Sequence, residues 1–201
     1  MITLYEQHSS GNCYKVRLLL TQLKRPFRTV EVSARDGSTR TPEYLARNPI
    51  GKVPALELDD GRFLAESNAM LLHFAEGTRF LPTDPYDRAK TYEWLFFEQY
   101  SHEPAIAVLR ALRIYEERRH LATPERVAQL TEAGNRALAV MERRLAGADW
   151  LAGNAYSIAD IALYAYTHTA EEGGLSLAPY PGIGKWLARV AVQPGHITLD
   201  A

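Results

Sequence analysis

The chain has 201 residues, 46% of them hydrophobic and 23% charged, which is enough apolar material for one large core or two small ones. Its 23 basic and 24 acidic side chains leave no excess charge that would attract nucleic acid, and a single cysteine, Cys13, excludes an internal disulfide and fits a reducing compartment. No apolar run approaches the ~18 residues of a membrane span, and Met1 leads directly into Ile2-Thr3-Leu4-Tyr5 without a basic n-region, so the expectation is a cytoplasmic protein with no membrane partner.

In chain order, Ile2–Tyr5 is a short apolar strand, and Glu6–Asn12 is a polar loop rich in turn formers. From Cys13 a helical pattern sets in, with Val16, Leu19, Leu20 and Leu23 on one stripe and Lys15, Arg17, Gln22 and Lys24 off it, until Pro26 stops it. Phe27–Val32 alternates as a second strand, and Thr41-Pro42-Glu43 caps a short helix that runs to Arg47. Two more strands, Ala55–Leu58 and Arg62–Leu64, flank an Asp60-Gly61 turn, and a helix starts near Glu66. This βαβαββα order predicts a thioredoxin-like α/β domain over residues 1–78, and the prolines of Leu81-Pro82-Thr83-Asp84-Pro85 predict a linker over 79–86.

Every long segment beyond the linker reads as helix, so residues 87–201 are expected to form an all-α domain. A helix over Asp87–Arg119 contains Pro104 and should kink there. Thr123-Pro124-Glu125 starts another that reaches about Ala146. Ser157-Ile158-Ala159-Asp160 is a capping-box variant, and the last helix spans Gly182–Val192. The six histidines lack ligand spacing, so no metal site is expected.

The stretch from Asn48 to Ala69 holds the densest set of signals. Val53 precedes a proline and is pushed into extended backbone, while Pro54 offers no N–H, so the edge of this strand cannot complete a ladder and an extended peptide could pair there. The helix that follows the hairpin opens with Glu66 and Ser67. Its unpaired N–H groups and the Ser67 hydroxyl suit a carboxylate, and Glu66 suits an ammonium, so one peptide end carrying both groups would be satisfied.

The run N-P-x-G-K-V-P-A-L, a short hairpin and then E-S-N-A, together with the later S-x-A-D, resembles the cytosolic glutathione transferase family, in particular its bacterial serine/threonine-type, theta/nu/zeta-like members. The resemblance covers nearly the whole chain. It implies that Pro54 is cis, that Val53 pairs through its backbone with the cysteinyl unit of glutathione, and that Glu66 and Ser67 hold the γ-glutamyl end. Lys52 is the implied partner of the glycyl carboxylate, and Arg40 is a weaker one.

Ser10-Gly11-Asn12-Cys13 then lies where thioredoxin-like proteins keep their working group. In the hydroxyl-using members a serine or threonine at the place of Ser10 donates a hydrogen bond to the glutathione thiolate. Asn12 is either a second donor or a helix cap, and Cys13 is either a redox thiol or a small apolar side chain of the first turn. Tyr5 is the alternative hydroxyl. Tyr92, Phe96 and Tyr100 recur at i, i+4, i+8 on the first long helix, which in the family lines the electrophile pocket and meets the partner subunit; an aromatic stripe at that spacing is otherwise core.

The resemblance therefore implies a homodimeric detoxification enzyme, a glutathione transferase with glutathione as co-substrate, no metal, and a small apolar electrophile. Glutathione-dependent disulfide reduction or peroxidase activity on the same fold is the near alternative. A non-catalytic interaction module of the same fold is the distant one.

Overall fold

The computed structural model describes residues 1–201, and the chain divides into two compact units: Met1–Thr78 with Gln193–Ala201, and Arg79–Val192. Residues 193–201, expected in the helical domain, therefore belong to the first unit. The first unit is built on a four-stranded sheet in the order β2-β1-β3-β4, with β1 Ile2–Glu6, β2 Phe27–Glu31, β3 Ala55–Glu57 and β4 Phe63–Ala65. β1 and β2 run parallel, joined by helix α1 over Gly11–Gln22, whereas β3 is antiparallel to both β1 and β4. Helices α2 (Pro42–Arg47) and α3 (Ser67–Ala75) complete the βαβαββα unit.

Local chemistry explains most of these boundaries. Thr41 accepts a hydrogen bond from the Tyr44 amide at 3.2 Å, and Pro42 occupies the first turn of α2, where its missing N–H costs nothing. Gly61 takes φ +81° in the β3–β4 turn while Asp60 accepts from the Arg62 amide at 3.1 Å. Leu4, Leu56, Leu18, Leu19, Leu20, Met70 and Leu71 are almost wholly buried and form the bulk of this unit's core.

The terminal segment is fastened to α1. Tyr14 donates its hydroxyl to the Ile197 carbonyl at 2.7 Å, and Arg17 donates to the carbonyls of Leu199 at 2.7 Å and Ala201 at 3.1 Å. Arg17 also pairs with the Glu6 carboxylate at 3.3 Å with both side chains buried. Burial holds the Glu6 carboxyl above its ordinary range and the Arg17 charge pulls it back.

In the second unit the long helix expected over Asp87–Arg119 is not continuous. It runs as α4 over Pro85–Phe97, widens into a π turn over Glu98–His102, and resumes as α5 over Glu103–Ile114. Pro104 lies in the first turn of α5: it cannot donate to the preceding turn, so the backbone opens upstream of it instead of merely bending. α6 spans Pro124–Leu145, α7 Ile158–Thr167 and α8 Pro181–Ala191. No helix is long and apolar enough to cross a membrane.

α7 is buried along its entire length, and the capping box at its start carries a buried polar network. The Asp160 carboxylate accepts from the Leu151 amide, the Trp186 indole, the Ser157 amide and the Ser157 hydroxyl, at 3.0, 2.9, 3.0 and 3.2 Å. Burial pushes the Asp160 carboxyl up to about 6, against the pull of those hydrogen bonds.

Candidate active site

Three loops leave the sheet at one end. Tyr5 of β1 and Ala65 of β4 are both register partners of Ala55, the first residue of β3. The β1–α1 loop, the Val53-Pro54 segment and the β4–α3 junction therefore emerge beside one another. Each carries one part of the site.

The Val53-Pro54 bond is cis, and both residues lie outside the ladder, which begins at Ala55. The preceding carbonyl is held from two sides: Tyr44 donates its hydroxyl to Lys52 O at 2.7 Å and Asn48 donates its amide at 2.8 Å. Asn48 also accepts from the Ile50 amide at 3.0 Å, so its side chain folds the Asn-Pro-x-Gly turn onto itself. Gly51 sits at φ +66°, and a Cβ there would lie 2.4 Å from the Arg40 guanidinium and 3.0 Å from the Thr39 carbonyl. Arg40 in turn donates to the Ile50 carbonyl at 3.2 Å, so it braces this loop while its side chain stays exposed, as does that of Lys52.

Glu66 precedes α3 with φ 65° and ψ 114°, a backbone conformation that costs a residue with a Cβ about 1–3 kcal/mol. It is exposed, and its side chain does not cap the helix. Ser67 beside it is buried. Its hydroxyl donates to Asn12 Oδ1 at 3.2 Å and accepts from Lys15 Nζ at 3.4 Å, which joins the start of α3 to the start of α1.

Ser10 is the N-cap residue of α1 but makes no side-chain capping bond, and it is half-buried. Cys13 is entirely buried, and desolvation pushes its thiol up to about 12, with a hydrogen bond from Ser10 pulling the other way. A neutral, enclosed thiol is not a redox group at neutral pH, so the apolar alternative holds for Cys13. Tyr5 donates its hydroxyl to Glu57 at 2.9 Å, and burial raises its pKa. Its ring packs with Val32, Tyr44 and Ala55, so it braces the sheet end with its hydroxyl engaged by Glu57.

The sequence pattern missed Lys15 and Arg17, which it set off the buried stripe but which are 0% and 3% exposed. It also missed Tyr44 and Asn48 as supports of the Lys52 carbonyl; the Asn-Pro-x-Gly spacing was the available signal for Asn48. In the second unit, Phe96 and Tyr100 are 73% and 88% exposed and so are not core, while Tyr92 is half-buried and accepts from Arg88 at 2.8 Å. Tyr100 lies in the π turn and, with Phe97, Pro104 and Leu130, lines a cavity of about 410 Å³ that neither Tyr92 nor Phe96 reaches. No group of three or more His, Cys, Asp or Glu side chains is placed to hold a metal ion.

Comparison with known proteins bears on the family and the fold. Residues 9–76 match the family model of the glutathione S-transferase N-terminal domain, and residues 94–194 match that of its C-terminal domain. The disulfide-bond oxidoreductase YfcG of Escherichia coli K12 is 30% identical, over 96% of this chain and 92% of that protein. A glutathione S-transferase crystal structure from Pseudomonas fluorescens Pf-5 is 47% identical, with a TM-score of 0.95 over 98% of each chain. Ure2p in complex with glutathione is 26% identical, with a TM-score of 0.87 over 96% of this chain and 95% of that one. Two family models in the expected order, on a fold that superimposes over nearly its full length, place this chain in the glutathione S-transferase family.

Proposed function

We propose that this protein is a glutathione-dependent enzyme of the serine type, which holds glutathione across the three loops and presents its sulfur as a thiolate to a small apolar electrophile. The observation that carries this reading is the convergence of distinct recognition chemistries at one sheet end. The extended backbone at Val53-Pro54 is offered to the cysteinyl unit. Glu66 is offered to the γ-glutamyl ammonium, and Ser67 with the first amides of α3 to its carboxylate. Lys52 on the turn before Val53, and Arg40, which braces that turn through the Ile50 carbonyl, are offered as cations for the glycyl carboxylate.

Ser10 and Asn12 supply the donors for sulfur at the start of α1. A free thiol has a pKa of ~8.5, and lowering it by about two units takes ~2.7 kcal/mol of preference for the thiolate. A hydrogen bond to a charged acceptor contributes ~1.5–3 kcal/mol and a helix N-terminus ~0.3–1 kcal/mol. The sulfur then attacks an electrophilic carbon, the leaving group departs with its electron pair, and the thiol proton goes to water. Tyr100, exposed beside its cavity, is proposed to meet the apolar electrophile, and exposed Phe96 and half-buried Tyr92 are the further aromatic candidates on α4. The enzyme is proposed to act in the cytoplasm as a homodimer.

A second reading has one specific support, the likeness to a relative named as a disulfide-bond oxidoreductase. In that case the same thiolate attacks one sulfur of a disulfide, and a second glutathione resolves the mixed disulfide, leaving oxidised glutathione. The buried Cys13 has no part in either scheme. Glutathione-affinity retention followed by turnover with an aryl halide, an organic hydroperoxide and a small disulfide separates these readings. Retention without turnover of any of the three would leave a binding module and overturn the enzymatic proposal.

A further inference from the structure

Helix α1 buries a lysine completely: Lys15 is 0% exposed. Removing an ammonium from water is costly unless it meets compensating groups. One of its contacts is the Ser67 hydroxyl at 3.4 Å, and Ser67, itself 4% exposed, lies 3.2 Å from Asn12 Oδ1.

The direction of this chain of hydrogen bonds follows from the groups in it. An ammonium only donates, an amide oxygen only accepts, and a hydroxyl has one proton to give. Toward Lys15, therefore, Ser67 must accept. Its proton is turned away from Lys15, toward Asn12 in the free protein and toward any stronger acceptor that arrives at the start of α3.

We propose that Lys15 is a positioning residue for the γ-glutamyl carboxylate of glutathione. It fills the inward lone pair of Ser67, so that the hydroxyl faces the ligand only as a donor, and it sets a fixed positive charge behind the N-terminus of α3. A carboxylate is a stronger acceptor than the Asn12 amide and takes over the Ser67 proton when it binds. This inference rests on the assignment of Glu66 and Ser67 to the γ-glutamyl end.

The test compares glutathione with γ-aminobutyryl-cysteinylglycine, which lacks only the α-carboxylate of the γ-glutamyl unit, by calorimetry on the wild type and Lys15→Met. Methionine has similar length and tolerates burial. The wild type should prefer glutathione by about ten- to a hundredfold, the range for a lost hydrogen bond to a charged group. Lys15→Met should lose most of that preference by weakening glutathione alone, with the analogue bound as before. If Lys15→Met does not melt cooperatively, Lys15→Leu, which likewise removes both the donor and the charge, carries the same comparison. Retained preference, or equal weakening of both ligands, would show that Lys15 only ties α1 to α3 and would overturn the proposal. A wild type that bound both ligands equally would instead overturn the γ-glutamyl assignment itself.

Discussion

Ser10→Ala separates the serine mechanism from a cysteine mechanism. The substitution removes one hydrogen bond to a charged acceptor, ~1.5–3 kcal/mol, which raises the pKa of the bound thiol by about 1–2 units. If the wild type holds that thiol near 6.5, about half is thiolate at pH 6.5, and the variant should be slower there by roughly 7- to 80-fold. The gap should close above about pH 9, where both are ionised, and the KM for glutathione should change little because the lost contact is made to the sulfur alone. Cys13 offers the contrast. Its thiol is pushed up to about 12, so at pH 7 its thiolate fraction is on the order of 10⁻⁵. Cys13→Ala should therefore cost only the packing of one sulfur, about 0.5–1.5 kcal/mol by analogy with a single methyl deletion, and leave turnover nearly intact. The assay is the pH profile of aryl-halide turnover at saturating glutathione, with melting temperatures measured in parallel. Activity abolished in Cys13→Ala and retained in Ser10→Ala would refute the serine mechanism.

Glu66→Ala should weaken glutathione by about ten- to a hundredfold in calorimetry without lowering the melting temperature, since the side chain is exposed and makes no capping bond; unchanged affinity would remove Glu66 from the site. Gly51→Ala places a Cβ at φ +66° and 3.0 Å from the immovable Thr39 carbonyl, so it should cost about 1–3 kcal/mol and raise the KM for glutathione by displacing Lys52 and Val53; a variant with wild-type melting and KM would show that this turn does not set the site. Asp160→Ala strands the four donors now satisfied by one buried carboxylate, and should lower stability in chemical denaturation by at least ~3 kcal/mol. A loss below ~1 kcal/mol would mean that water takes the carboxylate's place.

What was legible in the sequence was chemistry that acts over a few residues. Thr41 and Thr123 cap the helices that their Thr-Pro pairs announce, Ser157 and Asp160 close the capping box, and the Asp60-Gly61 turn joins β3 to β4. Each of these depends on a side chain reaching backbone two or three positions away, so spacing alone reveals it. Pro104 sits at the limit of that method. Its effect on the helix was foreseeable, but the form of the response, a π turn upstream of it, depends on how the surrounding helices hold the two halves. The return of residues 193–201 to the first unit was beyond reach. It rests on Tyr14 and Arg17 binding carbonyls 183 and 182 positions away, and a polar side chain on a helix carries no mark of so distant a partner.

Helix α1 shows why the candidate site was only partly legible. Periodicity assigns a helix one buried stripe and leaves the other side to water, which is valid when only one face is covered. α1 is covered on nearly every side, so the same pattern that located its leucines misplaced its cations. A buried cation needs specific acceptors, and those found here lie on other elements: Arg17 takes Glu6 and the terminal carbonyls, while Lys15 takes Ser67. The residues that touch solvent, Glu66 and Lys52, could be named from a motif because they are the ones the proposed ligand would meet. Those behind them are held by tertiary contacts alone, and only the structure shows that the charge of Lys15 lies one hydroxyl away from the proposed carboxylate position.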